Sequence, residues 1–253
     1  MMNPLTSFGS NSKSNSNQNF SRSISLSIFD RNENEISIQT NLIEPIQLII
    51  PRDPNLIIPS MILQNVTSTN NNTPHNQLFY LNYINITNNI TVSIHFEVHP
   101  FNISLAYLFI YKFDQTPLLN SSINLIDGWT LFCPSNLTNE NIYKYFVNNQ
   151  QTSDHQSLIF GLRKLNSIEI IEFCSNSSYT NPPITDERFN FTSNYELRIY
   201  TSVRYLIKKT TTTTTTTTTT KVGSLTNHYE TECFATHLTT FAGGFIVLPA
   251  PIS

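Results

Sequence analysis

Near the end of the 253-residue sequence, His237-Leu238-Thr239 places an imidazole two positions before a hydroxyl. A Thr hydroxyl is a weak nucleophile until a base removes its proton, and a neutral imidazole can do so where the intervening turn is tight. Thr239 Oγ could then attack the Leu238 carbonyl carbon, moving the acyl group from nitrogen to oxygen, and water would hydrolyse the resulting ester. Because both reactants belong to one chain, correct geometry is worth on the order of 7–11 kcal/mol. A strained scissile peptide adds about 1–3 kcal/mol for each sparsely populated backbone state. The competing role for His237 is a structural imidazole at a strand end. Cleavage at Leu238-Thr239 would happen once per molecule, so this chemistry implies no turnover enzyme.

Other reactive types are less suggestive. His95, Glu97 and His99 recur at period two, a spacing that puts all three on one face of a strand and could hold a divalent metal. A solvated polar face explains them better, and no metal is assigned. Asp114, Asp127, Asp154 and Asp186 fall at no spacing expected of a carboxylate pair or a calcium loop. The sequence carries no phosphate-binding glycine loop and no G-x-S-x-G elbow, and no cofactor is implied. Cys133, Cys174 and Cys233 allow one disulfide with one thiol over. Cys133 and Cys174 form a plausible bridge between two strands, or remain two buried thiols. Cys233 would then be left to reshuffling or to pairing with another chain.

The residues from Cys233 through Phe234-Ala235-Thr236 to His237-Leu238-Thr239-Thr240-Phe241-Ala242 resemble the GPCR-proteolysis-site (GPS) motif of polycystin-1-like proteins and adhesion receptors. That motif reads as a cysteine, a short strand, His-Leu-Thr or His-Leu-Ser, and a second strand. The resemblance is specific over 229–249 and extends in general character from about residue 24 to 251. It implies a GAIN-type antiparallel β-sandwich, on the outer face of a membrane, that cleaves itself at Leu238-Thr239. The strand from Thr239 to about Leu248 would stay bound as stalk or tethered agonist. Implied partners are that cleaved strand, the membrane-spanning remainder of the parent protein, and a polycystin-2-like channel subunit. Upstream the sequence departs from the pattern: 200–205 holds no partner cysteine, and the single tryptophan is Trp129. The polycystin-like branch fits better than the receptors because the four-cysteine pattern of the latter is lacking.

To position such a site the chain needs strands, and it reads as strands. Residues 90–98 alternate apolar and polar, predicting one packed and one wetted face. Further β-branched or aromatic runs occupy 24–29, 35–40, 46–50, 78–84, 104–112, 129–133, 158–162 and 195–207, separated by Asn, Pro, Ser and Asp clusters. Residues 139–146 are the best candidate for a short helix. The expected fold is all-β: an antiparallel sandwich with little helix and the GPS residues on its last strands. The expected divisions are a disordered Ser/Asn-rich segment over 1–22 and a sandwich over 23–200. A GPS region over 201–248 follows, interrupted by threonines at 210–220, and an exit toward a membrane helix closes the chain over 249–253.

Composition narrows the setting. A net charge of −3 with scattered Lys and Arg leaves no basic stripe for nucleic acid. Charged residues make up 12% of the chain, well under the roughly 25% of ordinary domains. The N-x-S/T pattern occurs at Asn65, Asn85, Asn89, Asn102, Asn120, Asn136, Asn176 and Asn190, and also at Asn19 and Asn71. A chain so rich in Asn, Ser and Thr generates several by chance. Neither a secretory leader nor a membrane-length apolar run is visible. The expectation is an extracellular piece of a longer membrane-anchored protein, with a non-cleaving adhesion domain and a nonfunctional gene fragment as alternatives.

Overall fold

A computed structural model describes residues 19–25, 28–32, 35–36, 45–51, 59–67, 79–86, 92–175, 179–184, 192–207, 221–226, 229–235 and 240–246. They form an antiparallel β structure built from two main sheets and a smaller third one. Strands β1 (Asn19–Ser25), β17 (Thr240–Ile246), β14 (Thr192–Ile207), β7 (Val92–Pro100) and β12 (Tyr143–Val147) lie side by side in that order. Strand β5 (Ile62–Thr67) also pairs with β14. The second sheet orders β11 (Gly128–Phe132), β8 (Tyr107–Phe113), β13 (Ser157–Lys164) and β6 (Tyr80–Asn85). The third joins β15 (Lys221–Val222), β16 (Glu230–Ala235) and β4 (Ile46–Pro51), and β2 (Ile28–Phe29) pairs with β3 (Glu35–Ile36) in a small hairpin.

Between the two main sheets lies one aromatic-rich core. Ile94, Phe96 and Val98 of β7 and Tyr195 and Leu197 of β14 meet Phe109 and Tyr111 of β8 and Leu158 and Phe160 of β13. The Phe96 ring sits 4.9 Å from both Phe109 and Phe160, at angles of 59° and 66°, the edge-to-face arrangement that aromatic quadrupoles favour. Burying each such ring contributes about 1.5–3 kcal/mol. The opposite face of β8 is buried as well. Ala106, Leu108 and Ile110 pack with Phe79, Leu119 and Leu165, beneath helix α1 (Ser167–Cys174) and the small hairpin β9 (Leu118–Leu119) and β10 (Asn124–Leu125). Tyr107–Phe113 reads as a near-continuous apolar run for this reason. Among the described residues no helix is long and apolar enough to cross a membrane.

Several expectations change in detail. The predicted helix over 139–146 is instead strand β12. Asn141 adopts a positive φ of 58°, a left-handed turn that closes when Ile142 N donates to Thr138 Oγ1, and Tyr143 onward is aromatic and strand-favouring. The helix falls at Ser167–Cys174. Asn166 Oδ1 accepts from Glu169 N at 2.9 Å, and Glu169 Oε2 accepts from Asn166 N at 2.8 Å, a reciprocal capping box legible as Asn-x-x-Glu. Arg163 of β13 clamps the same Glu169 at 2.8 Å.

The expected wetted face of β7 is buried: Ser93, His95 and Glu97 are as inaccessible as their apolar neighbours. Ser224 and Thr226 of the turn after β15 border the same cleft as His95 and Glu97. Residues 19–22, expected outside the fold, belong to β1, where backbone pairing with β17 does not depend on apolar side chains. Finally, β14 runs unbroken through residues 200 and 201, so one strand links the sandwich to the final elements.

Candidate functional site

Strands β16 and β17 bracket the candidate tripeptide in sequence. β16 ends at Ala235 in the third sheet, and β17 starts at Thr240 in the largest one. His237, Leu238 and Thr239 occupy the four-residue interval between them, outside the described residues, as are residues 210–220. Thr240 pairs with Ser25 on one side and Ile207 on the other, and Phe245 with Asn19 and Ser202. The strand following the candidate scissile bond is therefore hydrogen-bonded along both edges.

Cys233 lies opposite Leu48 of β4 and Val222 of β15, fully buried with Ile50 and Ala235. Beside it, Glu232 is 3% exposed and acts as a clamp. Its carboxylate accepts from Gln47 Nε2 at 2.6 Å and from Leu225 N at 3.0 Å. Its backbone carbonyl accepts from Gly223 N at 2.9 Å, and its N–H donates to Thr226 Oγ1 at 3.0 Å. β4 and the turn between β15 and β16 thus converge on one residue, three positions past which β16 ends at Ala235.

On the large sheet a polar network runs from β7 to β14, the strand adjoining β17. Glu97, 1% exposed, accepts from Arg198 Nε at 2.6 Å and from the Tyr200 hydroxyl at 3.0 Å. Arg198 also reaches it through a terminal guanidinium nitrogen. Tyr200 stacks on the His95 ring at 4.6 Å and 9°, and His95 Nε2 lies 2.8 Å from Ser202 Oγ. The distance suits a base and nucleophile, but Ser202 is entirely buried, leaving a substrate no approach to its hydroxyl. The adjacent cleft, about 140 Å³, is bordered by His95, Glu97, Lys144, Tyr200, Ser224 and Thr226. The network ties β7 to β14. Sequence reading found His95 and Glu97 but not Arg198, Tyr200 or Ser202, because the partners lie on a distant strand.

The three period-two residues do not converge. His99 Nδ1 pairs with Glu196 at 2.9 Å, apart from the His95 contacts, and among the described residues no group of three His, Cys, Asp or Glu side chains gathers. Cys133 and Cys174 form a disulfide with Cα atoms 5.5 Å apart, tying the end of β11 to the end of α1. Among the sequons, Asn85, Asn102 and Asn136 are exposed, and Asn120 is half-buried in a turn where its side chain accepts from Ser122 N and Ile123 N. Asn65 lies in β5. Asn89, Asn176 and Asn190 fall outside the described residues.

Compared with family models, curated proteins and solved structures, the chain matches none.

Proposed function

We propose that this chain is an extracellular autoproteolysis-inducing domain of a polycystin-1-like membrane protein, cleaving itself between Leu238 and Thr239. His237 takes the Thr239 hydroxyl proton, and Thr239 Oγ attacks the Leu238 carbonyl. The C–N bond gives way to a C–O ester with release of the Thr239 amine, and water hydrolyses the ester to a carboxylate on Leu238 and a restored Thr239 hydroxyl. The observation that carries this reading is the placement of β17 between β1 and β14. A cut just before Thr240 leaves the downstream strand held by two ladders of backbone hydrogen bonds, each bond worth about 0.5–1.5 kcal/mol net. Cleavage would then produce two chains that remain one body, which suits a tethered strand or stalk. The partners of this reading are the chain's own strand from Thr239 onward, the membrane-spanning remainder of the parent, and a polycystin-2-like channel subunit.

The test is chromatography of the chain secreted from a eukaryotic host. Native conditions should give one species, denaturing conditions a body plus a short C-terminal peptide, and His237→Ala a single chain under both. One species in denaturant for the unmutated protein would count against self-cleavage.

A second reading, a non-cleaving adhesion or interaction sandwich, is favoured by the disulfide pattern. The bridge joins Cys133 to Cys174, so no disulfide ties Cys233 to the strands before the interval.

A further inference from the structure

Beside the disulfide, on the far side of the second sheet from the central core, is a groove of about 290 Å³ bordered by Trp129, Leu131, Ser135, Asn136, Phe173 and Tyr179. This volume lies at the small end of ligand pockets, which start near ~300 Å³, and suits a single ring rather than an extended molecule. Its border holds no charged side chain: Thr130, Cys133 and Cys174 complete it. Aromatic faces with hydroxyl and amide groups suit a ligand having both apolar C–H faces and neutral polar edges. That description fits a sugar ring, and the lack of a cationic side chain on the border disfavours an anion.

The groove also carries its own attachment point. Asn136, exposed at the end of the 3-10 turn Pro134–Asn136, begins the sequon Asn136-Leu137-Thr138. Its Nδ2, the atom a glycan would occupy, lies 3.5 Å from the backbone oxygen of Leu131. Leu131 and Trp129 are two apart on β11, so their side chains project from the same face, roughly 7 Å apart along the strand. A sugar joined to Nδ2 starts on the border of the same groove that Trp129 lines. The contact to Leu131 survives attachment, because a glycosylated amide retains one N–H. Trp129 packs against the Leu108 and Ile110 cluster while bordering the groove, and Phe173 and Tyr179 are in edge contact at 5.0 Å.

We propose that Asn136 is N-glycosylated and that the first sugar of its glycan lies in this groove against Trp129. In the transfer, Asn136 Nδ2 forms a bond to the anomeric carbon of a lipid-diphosphate-linked oligosaccharide. The bond from that carbon to the diphosphate oxygen breaks, and the lipid diphosphate leaves with the amide proton. The seated sugar covers β11, which has a strand neighbour on one side only among the described residues, and so shields an edge open to pairing with another chain. The proposal rests on the extracellular placement above but not on cleavage.

Trp129 is the only tryptophan, so emission under tryptophan-selective excitation reports on this groove alone. The chain, secreted from a eukaryotic host, is treated with a peptide N-glycosidase under native conditions. Site occupancy is read by mass spectrometry from the Asn-to-Asp conversion, and Trp129 accessibility by acrylamide quenching. The expected result is an occupied Asn136 whose release red-shifts the emission and increases quenching. Asn136→Gln should reproduce the released state, Thr138→Ser should match the unmutated chain, and Asn102→Gln should leave Trp129 protected. Occupancy at Asn136 with unchanged quenching on release would overturn the proposal, as would a bare Asn136 in a chain glycosylated elsewhere. A chain with no occupied sequon would overturn both this proposal and the extracellular reading, whereas loss of cleavage alone leaves this proposal standing.

Discussion

Gly223 lies so close to the Glu232 carboxylate that a Cβ on it would stand 1.9 Å from Oε2. The absence of a side chain at one position is what admits a buried carboxyl group at the other, and that group fastens β4 to the turn that follows β15. Gly223→Ala should therefore force the carboxylate out of place and cost about 1–3 kcal/mol, seen as a lower urea midpoint at unchanged slope. Adding Glu232→Ala should recover part of that loss, and simple additivity of the two would speak against the contact.

Glu97 and Arg198 make a second brace. With Glu97 1% exposed, Arg198→Ala strands a buried carboxylate and should cost about 3–5 kcal/mol. Replacing both, as Glu97→Gln with Arg198→Met, should cost less than Arg198→Ala alone. Equilibrium denaturation of the two variants tests this order, and equal losses would contradict it.

Strand identity was legible in the sequence, while the use of the polar residues was not. Apolar runs at 46–50, 104–112, 158–162 and 195–207 became β4, β8, β13 and β14 because β-branched and aromatic side chains announce a packed strand wherever it sits. His95 looked wetted because alternation reports only on its own strand. Its partner Ser202 is 107 residues away, and register across such a distance is written in no local pattern. Residues 139–146 form no helix because the turn closed by Thr138 leads into strand β12, whereas Asn166 and Glu169 carry the helix cap. At the candidate site the motif gave the tripeptide and the strand after it. It did not give the change of sheet between Ala235 and Thr240, which depends on pairing with β1 and β14.

Asp114 provides a pH signature. The hydrogen bond from His155 Nδ1 to its Oδ2 at 2.8 Å, joined by Gln156 and Ser157 N–H groups on Oδ1, holds its carboxyl below the usual range. A folded value below the unfolded one stabilises the protein above the ordinary carboxylate value of 3.8, and that contribution is lost as pH falls through the folded value. Asn at this position tolerates the φ of 56° that Asp114 adopts. The stability gap between the unmutated chain and Asp114→Asn should be flat above about pH 5 and shrink below about pH 4. Because the pair is largely solvent-exposed, the change should be small. A gap constant down to pH 2 would contradict the assignment.

The Cys133–Cys174 bridge closes a loop with a sequence separation of 41. Chain-entropy reasoning assigns about 4 kcal/mol to a loop of that length. Serine at both positions should lower the melting temperature, with the groove around Trp129 loosening first. Trp129 emission should then shift before the far-ultraviolet strand signal is lost.

The central claim is tested most directly by intact-mass and N-terminal analysis of the secreted chain, with His237→Ala beside it. Self-cleavage predicts a new N-terminus at Thr239 in the unmutated protein only, with both pieces recovered together until the sheet is denatured. A single chain of full mass in both proteins would contradict it and leave an uncleaved interaction domain in its place.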